Sequence, residues 1–147
     1  MDFGSGNEFE KLELAMEAAG MAWWWMEMPT GAVFFSANKA RMIGYEPDRF
    51  VHYSDFTDLV HPDDYDRIMQ AMRDHMEGKA DLYRTSYRIK AADGTYHRFF
   101  DKGRIITRKS KDEMSIAGMV FDVTDFDELK KLLDTNPDAA EVVTKTD

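Results

Sequence analysis

The chain has no cysteine among its 147 residues. This absence excludes thiol catalysis, disulfides, zinc–thiolate sites and cofactors attached through cysteine. Long apolar runs are missing as well, since none approaches the roughly 18 residues that a membrane helix needs. The first residues also lack the basic start and the apolar core of a signal peptide. We therefore expect a cytoplasmic protein that does not insert into a membrane.

Positive charge is in short supply too. Lys and Arg number 19 against 28 Asp and Glu, which gives a net charge of −9. This balance argues against nucleic acid as a partner, because like charges repel as two surfaces approach. Hydrophobic residues at 44% and charged residues at 32% are typical of a globular protein. We expect one domain over residues 9–133, a disordered N-terminus over 1–8 and a polar tail over 134–147.

The first part of the chain predicts a helix followed by a hairpin. Phe9, Leu12, Met16 and Ala19 form one stripe of a short amphipathic helix that ends at Gly20. Large side chains then alternate between two faces over residues 21–28, as in a strand. A turn at 29–31 joins this strand to a second one at 32–35, and short helical pieces follow over 37–60.

The second part predicts a long helix and three strands. His61-Pro62-Asp63-Asp64 is typical of a helix start, because proline is tolerated there and carboxylates favour the positive end of the helix dipole. Its apolar face carries Ile68, Met69, Met72 and Met76. Strands follow at 82–90, 96–107 and 114–123, and a short amphipathic helix at 126–133. This order predicts an α+β fold, with a five-stranded antiparallel sheet, helices on one face and flanking helices at both ends.

Six motifs in this order resemble those of a PAS domain, of the subgroup common in prokaryotic sensor histidine kinases. They are Gly20…Trp24-x-Met26-Glu27, Phe35-Ser36, Ile43-Gly44-Tyr45, His61-Pro62-Asp63-Asp64, Tyr87-Arg88-Ile89…Asp93-Gly94 and Gly118…Asp122-Val123-Thr124. The likeness covers about residues 10–133. The chain departs from it at Met26, Ser86 and Arg98, where the family usually has Trp, Glu and Trp.

The resemblance implies a sensory module that passes a signal to an output domain such as a histidine kinase. In such domains the inner face of the sheet and the facing helices enclose a pocket for a small ligand. The candidate pocket residues are Trp24, Met26, Phe35, Met42, Met72, Tyr87, Ile89, His97, Phe99 and Val120. Noncovalent haem or flavin stays open as a cofactor. The alternative is a ligand-free dimerisation or interaction module in which the same side chains only fill the core.

The opposite face of the predicted sheet is also apolar. It carries Trp23, Trp25, Phe100, Met119 and Phe121, a patch that soluble monomers seldom leave uncovered. The flanking helices are expected to cover it, and we expect a parallel homodimer that uses this face and the N-terminal helix. The alternative is that the helices dock on this face within a single chain. Asp122 and Thr124 stand where the last strand meets the last helix. The resemblance implies that they relay the signal, and a capping side chain gives this a physical basis.

Three histidine positions are candidates for metal, cofactor or ligand contacts. The helix start explains His61-Pro62-Asp63-Asp64 without a metal. His75 lies near the position where some haem-binding relatives hold their iron ligand, but it stands outside the apolar stripe, which predicts a surface histidine. His97 is expected to point inward beside Phe99, with Tyr87, water or a ligand as its partner. The sequence shows no catalytic arrangement and no metal spacing, so we expect a non-enzyme.

Overall fold

The computed structural model describes residues 5–135 of the chain. Its elements in order are α1 (Ser5–Ala18), β1 (Met21–Met28), β2 (Ala32–Phe35), α2 (Ala37–Arg41), a 3-10 turn (Pro47–Arg49), α3 (Tyr53–Thr57), α4 (Pro62–Met76), β3 (Tyr83–Lys90), β4 (Tyr96–Arg108), β5 (Met114–Asp122) and α5 (Thr124–Thr135). None of these described helices is long and apolar enough to span a bilayer.

The five strands form one antiparallel sheet in the order β2-β1-β5-β4-β3. The last strand in the sequence, β5, is therefore the middle strand of the sheet. Helix α4 packs along β3, while α1 contacts β1. The predicted α+β fold with a five-stranded antiparallel sheet is confirmed.

The alternation along the strands decides which side chains form the core. On the inner face, Ile89, Phe99, Ile116 and Val120 are each 0% exposed. Gly118 pairs with Trp24 on one side and with Gly103 on the other. A Cβ on Gly103 would lie 2.6 Å from the Trp24 ring, and a Cβ on Gly118 would lie 2.5 Å from it. The two glycines thus leave the space in which the indole of Trp24 lies flat against the sheet.

Helix α4 begins as predicted. The Nδ1 atom of His61 accepts a hydrogen bond from the backbone N–H of Asp63 at 3.0 Å, and Pro62 occupies the first turn. The side chain of Asp64 accepts bonds from the backbone N–H of Arg88 at 2.9 Å and from its guanidinium at 2.9 and 3.0 Å. These bonds fix the start of α4 to β3.

Both flanking helices are longer than predicted. α1 begins at Ser5, so residues 5–8 are helical rather than disordered, because polar residues extend a helix that the apolar stripe alone does not delimit. In that stripe only Met16 is buried, while Phe9 and Leu12 are 56% and 59% exposed. The last helix starts at Thr124, two residues early, and the tail beyond residue 135 and the side chain of Leu129 lie outside the described residues.

Candidate ligand-binding cavity

A cavity of about 250 Å³ lies between the inner face of the sheet and helices α2, α3 and α4. Its wall is mostly apolar, as in small-molecule sites. The apolar lining residues are Trp24, Met26, Met28, Val33, Phe35, Phe56, Ile68, Met69, Met72 and Met76. The polar or aromatic-hydroxyl ones are Lys39, Tyr53, Thr57, Arg73, Tyr83, Tyr87 and Asp101.

Half of the predicted pocket residues lie on this wall. They are Trp24, Met26, Phe35, Met72 and Tyr87. The methionine-rich stripe of α4 also faces the cavity as predicted. Methionine side chains adapt to irregular shapes, so a wall of this kind accepts ligands of different outlines.

The other predicted pocket residues lie elsewhere. Ile89, Phe99 and Val120 are fully buried and fill the core, while Met42 packs against that core from outside the cavity. Residue alternation identifies the face of a sheet on which a side chain lies, but not its distance along the strand from a cavity. The cavity occupies only part of the inner face, so the three strand residues Ile89, Phe99 and Val120 lie on the predicted face but outside the cavity, while Met42 follows α2 and lies outside it as well.

Strand alternation also gives the face of His97 but not its position relative to the cavity. It pairs with Ile89 across the sheet and so shares the inner face. Its ring lies at the end of the sheet, where its Nδ1 atom is 2.8 Å from a carboxylate oxygen of Asp122. Its partner is therefore neither Tyr87 nor a ligand in the cavity, and His97 is not a cavity residue.

His75 is buried, which corrects the predicted surface position. Its Nδ1 atom lies 2.9 Å from the carbonyl oxygen of Ala80, which can only accept, so Nδ1 carries the proton. Its Nε2 atom accepts a hydrogen bond from the backbone N–H of Ile105 at 2.9 Å. Both ring nitrogens are thus occupied by the backbone, and His75 joins the end of α4 to β4 instead of facing a cofactor.

Asp101 is the buried carboxylate of the cavity. It accepts hydrogen bonds from Trp24 Nε1 at 2.6 Å and from the hydroxyl of Tyr87 at 2.9 Å. Burial raises its pKa, while the positive charge of Lys39 and the donated hydrogen bonds oppose that rise. The position was visible in the sequence, because Asp101 follows Phe99 by two residues and so falls on the inner face.

Lys39 is one of the cavity residues that the sequence did not reveal, and it is the buried cation among them. It is 3% exposed, and its ammonium nitrogen lies 3.6 Å from the ring centroid of Phe35 and 4.0 Å from that of Phe56. Burial lowers its pKa to about 8, and the charge of Asp101 opposes this shift. Helix α2 is five residues long, too short for an apolar stripe that would indicate which side chains point inward.

The residues proposed for signal relay form a hydrogen-bonded junction at one end of the sheet. One oxygen of Asp122 accepts from the backbone N–H of Thr124 at 3.0 Å and from its hydroxyl at 2.6 Å. The hydroxyl oxygen of Thr124 in turn accepts from the backbone N–H of Arg98 at 3.0 Å. The backbone N–H of Asp122 donates to the carbonyl of Gly20 at 2.8 Å. The junction therefore joins the end of α1, the start of β4 and the start of α5.

The outer face of the sheet is half-buried. Its five predicted members do share one face: Trp23, Trp25, Phe100, Met119 and Phe121. Helix α1 covers part of it, and Glu13 accepts hydrogen bonds from Trp23 Nε1 and from the Ser36 hydroxyl, both at 2.8 Å. Phe9, Leu12 and Leu14 of α1 stay exposed, so the helix presents apolar side chains to solvent.

The described residues contain no group of three or more His, Cys, Asp or Glu side chains placed to hold a metal ion. The side chains of His97 and Asp101 both lie on the inner face but have separate hydrogen-bond partners. The candidate functional features of the described residues are the cavity, the junction and the outer face.

Comparison with known proteins agrees with this architecture. The sequence profile of the family described as "PAS fold" matches residues 32–120. A solved domain of a sensory box histidine kinase/response regulator from Burkholderia thailandensis superposes with a TM-score of 0.68 at 24% identity. The superposition covers 89% of this chain and 98% of that one.

Two curated relatives share sequence similarity over most of the chain. The methyl sulfide methyltransferase-associated sensor of Methanosarcina acetivorans is 29% identical over 111 residues, 74% of this chain and 11% of that protein. The blue-light-activated histidine kinase of Brucella ovis is 27% identical over 116 residues, 79% of this chain and 23% of that protein. The chain thus spans less than a quarter of the length of these relatives.

Proposed function

This chain belongs to the PAS fold family and is a sensory, signal-relaying module, and from that premise we propose that it senses a small, mostly apolar ligand. The ligand occupies the cavity between the sheet and α4. Its binding shifts strands β4 and β5, and the shift reaches an output domain through the junction at Asp122 and Thr124. By analogy with the kinases among its relatives, that output is a histidine kinase in the cytoplasm.

The cavity is the observation that carries this proposal. Three Trp, ten Phe and eleven Met were available to fill the interior, yet about 250 Å³ is left open. Ligand sites usually measure about 300–1,000 Å³, so the ligand is small. An apolar wall with a few convergent polar groups favours a ligand over simple core packing.

A path from the cavity to the junction runs along β4. Asp101 lines the cavity, and three and four residues earlier on the same strand Arg98 and His97 contact Thr124 and Asp122. Asp101 also pairs with Val120 of β5, two residues before Asp122. A ligand that moves Asp101 therefore acts on two adjacent strands that both end at the junction.

Native mass spectrometry of the freshly purified protein, compared with its denatured mass, tests the proposal. We expect an additional mass that is lost on denaturation. A protein that carries no such mass, and that gains none when incubated with small apolar compounds, would favour the ligand-free interaction module.

We also propose that the module forms a homodimer through the outer face and α1. The exposed Phe9, Leu12 and Leu14 support this, because a second copy would cover them. Leu12→Glu should shift the protein toward monomer in sedimentation, since it places a charge in the contact. Val51→Glu, at a side chain that is 67% exposed and belongs neither to α1 nor to the sheet, is the matched control. Equal dimer fractions in both variants would contradict the dimer proposed here.

A further inference from the structure

The side chain of Lys39 is buried, and its ammonium group opens onto the cavity without a hydrogen-bond acceptor among the described residues. Within residues 5–135, no oxygen lies at hydrogen-bonding distance from its Nζ atom and no carboxylate lies within 4 Å. A buried charge is costly unless it is paired and hydrogen-bonded, so natural proteins seldom leave one in this state. The group has three donors and faces a cavity.

Asp101 is not the hydrogen-bond acceptor of the Lys39 ammonium. Its two oxygens accept hydrogen bonds from Trp24 Nε1 and from the Tyr87 hydroxyl. The carboxylate is thus held by neutral donors on the sheet. Its negative charge acts on Lys39 only at a distance.

The aromatic rings beside Lys39 offset only part of the cost of burying its charge. Phe35 and Phe56 present their faces to the ammonium, which stabilises its charge weakly. The cost of removing an ammonium from water exceeds this stabilisation even after relaxation. The three donors therefore still favour an acceptor from outside the protein.

We propose that the ligand of this cavity is a small carboxylic acid with an apolar body, whose carboxylate binds Lys39 Nζ while its hydrocarbon part lies against the methionines of α4. This assignment rests on the proposed sensory function and names the ligand class. A carboxylate gives charge-assisted hydrogen bonds, about twice as strong as neutral ones. The body meets Met69, Met72 and Met76, which adapt to its shape.

The charged and titratable groups around Lys39 set the pH range of binding. They are Asp101 on β4, Tyr83 and Tyr87 on β3, Tyr53 on α3 and Arg73 on α4. Burial raises the pKa of Tyr83 and Tyr87 well above their usual range, so both stay neutral. Since burial lowers the pKa of Lys39 to about 8, the ammonium is charged at pH 7 and loses its proton above pH 8. Carboxylate binding should weaken over that interval.

Calorimetric titration with three probes of equal chain length tests the assignment. The probes are hexanoate, hexanamide and hexan-1-ol, added to the wild type, to Lys39→Met and to Lys79→Met. Lys79 is exposed and paired with Glu77, so its variant controls for the loss of one positive charge. We expect hexanoate to bind the wild type and Lys79→Met at least ~10-fold more tightly than hexanamide does. Lys39→Met should lose that preference and keep its affinity for hexan-1-ol.

A second measurement needs no variant. The preference of the wild type for hexanoate over hexanamide should fall as pH rises from 7 to 10. Equal binding of the three probes at all pH values would overturn the carboxylate assignment and leave the apolar sensor standing. Binding of hexan-1-ol alone would do the same, whereas the absence of binding by any probe at millimolar concentration would overturn the assignment and count against the ligand-sensing function too.

Discussion

Asp64 and Asp101 are both nearly buried, with 8% and 5% of their surface exposed, yet their surroundings move their pKa values in opposite directions. Asp64 contacts the guanidinium of Arg88, and this contact holds its pKa well below the ordinary 3.8. Asp101 has a higher pKa than usual because burial dominates over the donors around it. One carboxylate is matched by a cation and the other is not.

The difference separates a structural ion pair from the candidate ligand site. The pair of Asp64 and Arg88 joins α4 to β3 at the edge of the fold, with its hydrogen bonds satisfied. Lys39 and Asp101 face the same cavity without meeting each other. Charged groups that are buried beside a cavity and not paired with each other often mark a ligand site.

The largest loss of stability should come from a substitution of Gly118, the glycine that lies beneath Trp24. Gly118→Ala places a methyl group against the carbonyl of Lys102 and the Trp24 ring, which must then move away from Asp101. We expect a loss of about 3 kcal/mol in the free energy of unfolding. Gly94→Ala is the control, because its Cβ meets nothing within 4 Å and it loses only the roughly 1 kcal/mol of a left-handed backbone. Equal losses in urea denaturation would show that Trp24 tolerates displacement.

Asp64→Ala should break the structural pair at a cost of about 2 kcal/mol, because the donors of Arg88 lose a charged acceptor. Asp66→Ala, at an exposed position of the same helix, should cost far less. The folded pKa of Asp64 is lowered, so its stabilisation is present above pH 3.8 and is lost as pH falls below it. In urea denaturation, the free energies of unfolding of the wild type and Asp64→Ala should therefore converge in acid. A difference that stays constant with pH would contradict this interpretation.

Lys39→Met should increase the free energy of unfolding, by about 1 kcal/mol at pH 7 in the absence of ligand. The reason is that a buried charge is replaced by an apolar side chain of similar length. The folded pKa of Lys39 is about 8 against an ordinary 10.5. Between these values the unfolded state binds more protons, so wild-type stability rises with pH. The advantage of the variant should shrink toward pH 10.5, and urea denaturation across this range will measure it.

The sequence predicted the sheet better than the cavity. Residue alternation placed Trp24 and Met26 on the inner face and Trp23 and Trp25 on the outer one, because side-chain direction in a strand follows directly from position. It could not locate His97 relative to the cavity, since distance along a strand depends on how the helices pack. It was silent about Lys39, because whether a lysine in a five-residue helix points to water or to the interior is decided by tertiary packing alone.

The central position of β5 has a consequence for the order in which this domain can fold. Met114–Asp122 is the last strand to be synthesised, yet it pairs with both β1 and β4. Until it emerges, β1–β2 and β3–β4 are two separate hairpins, and such pairs are marginal alone. Closing β5 onto β1 bridges most of the chain, a contact of high sequence separation that slows folding. A ribosome must therefore release the final strand before the two halves can share one core.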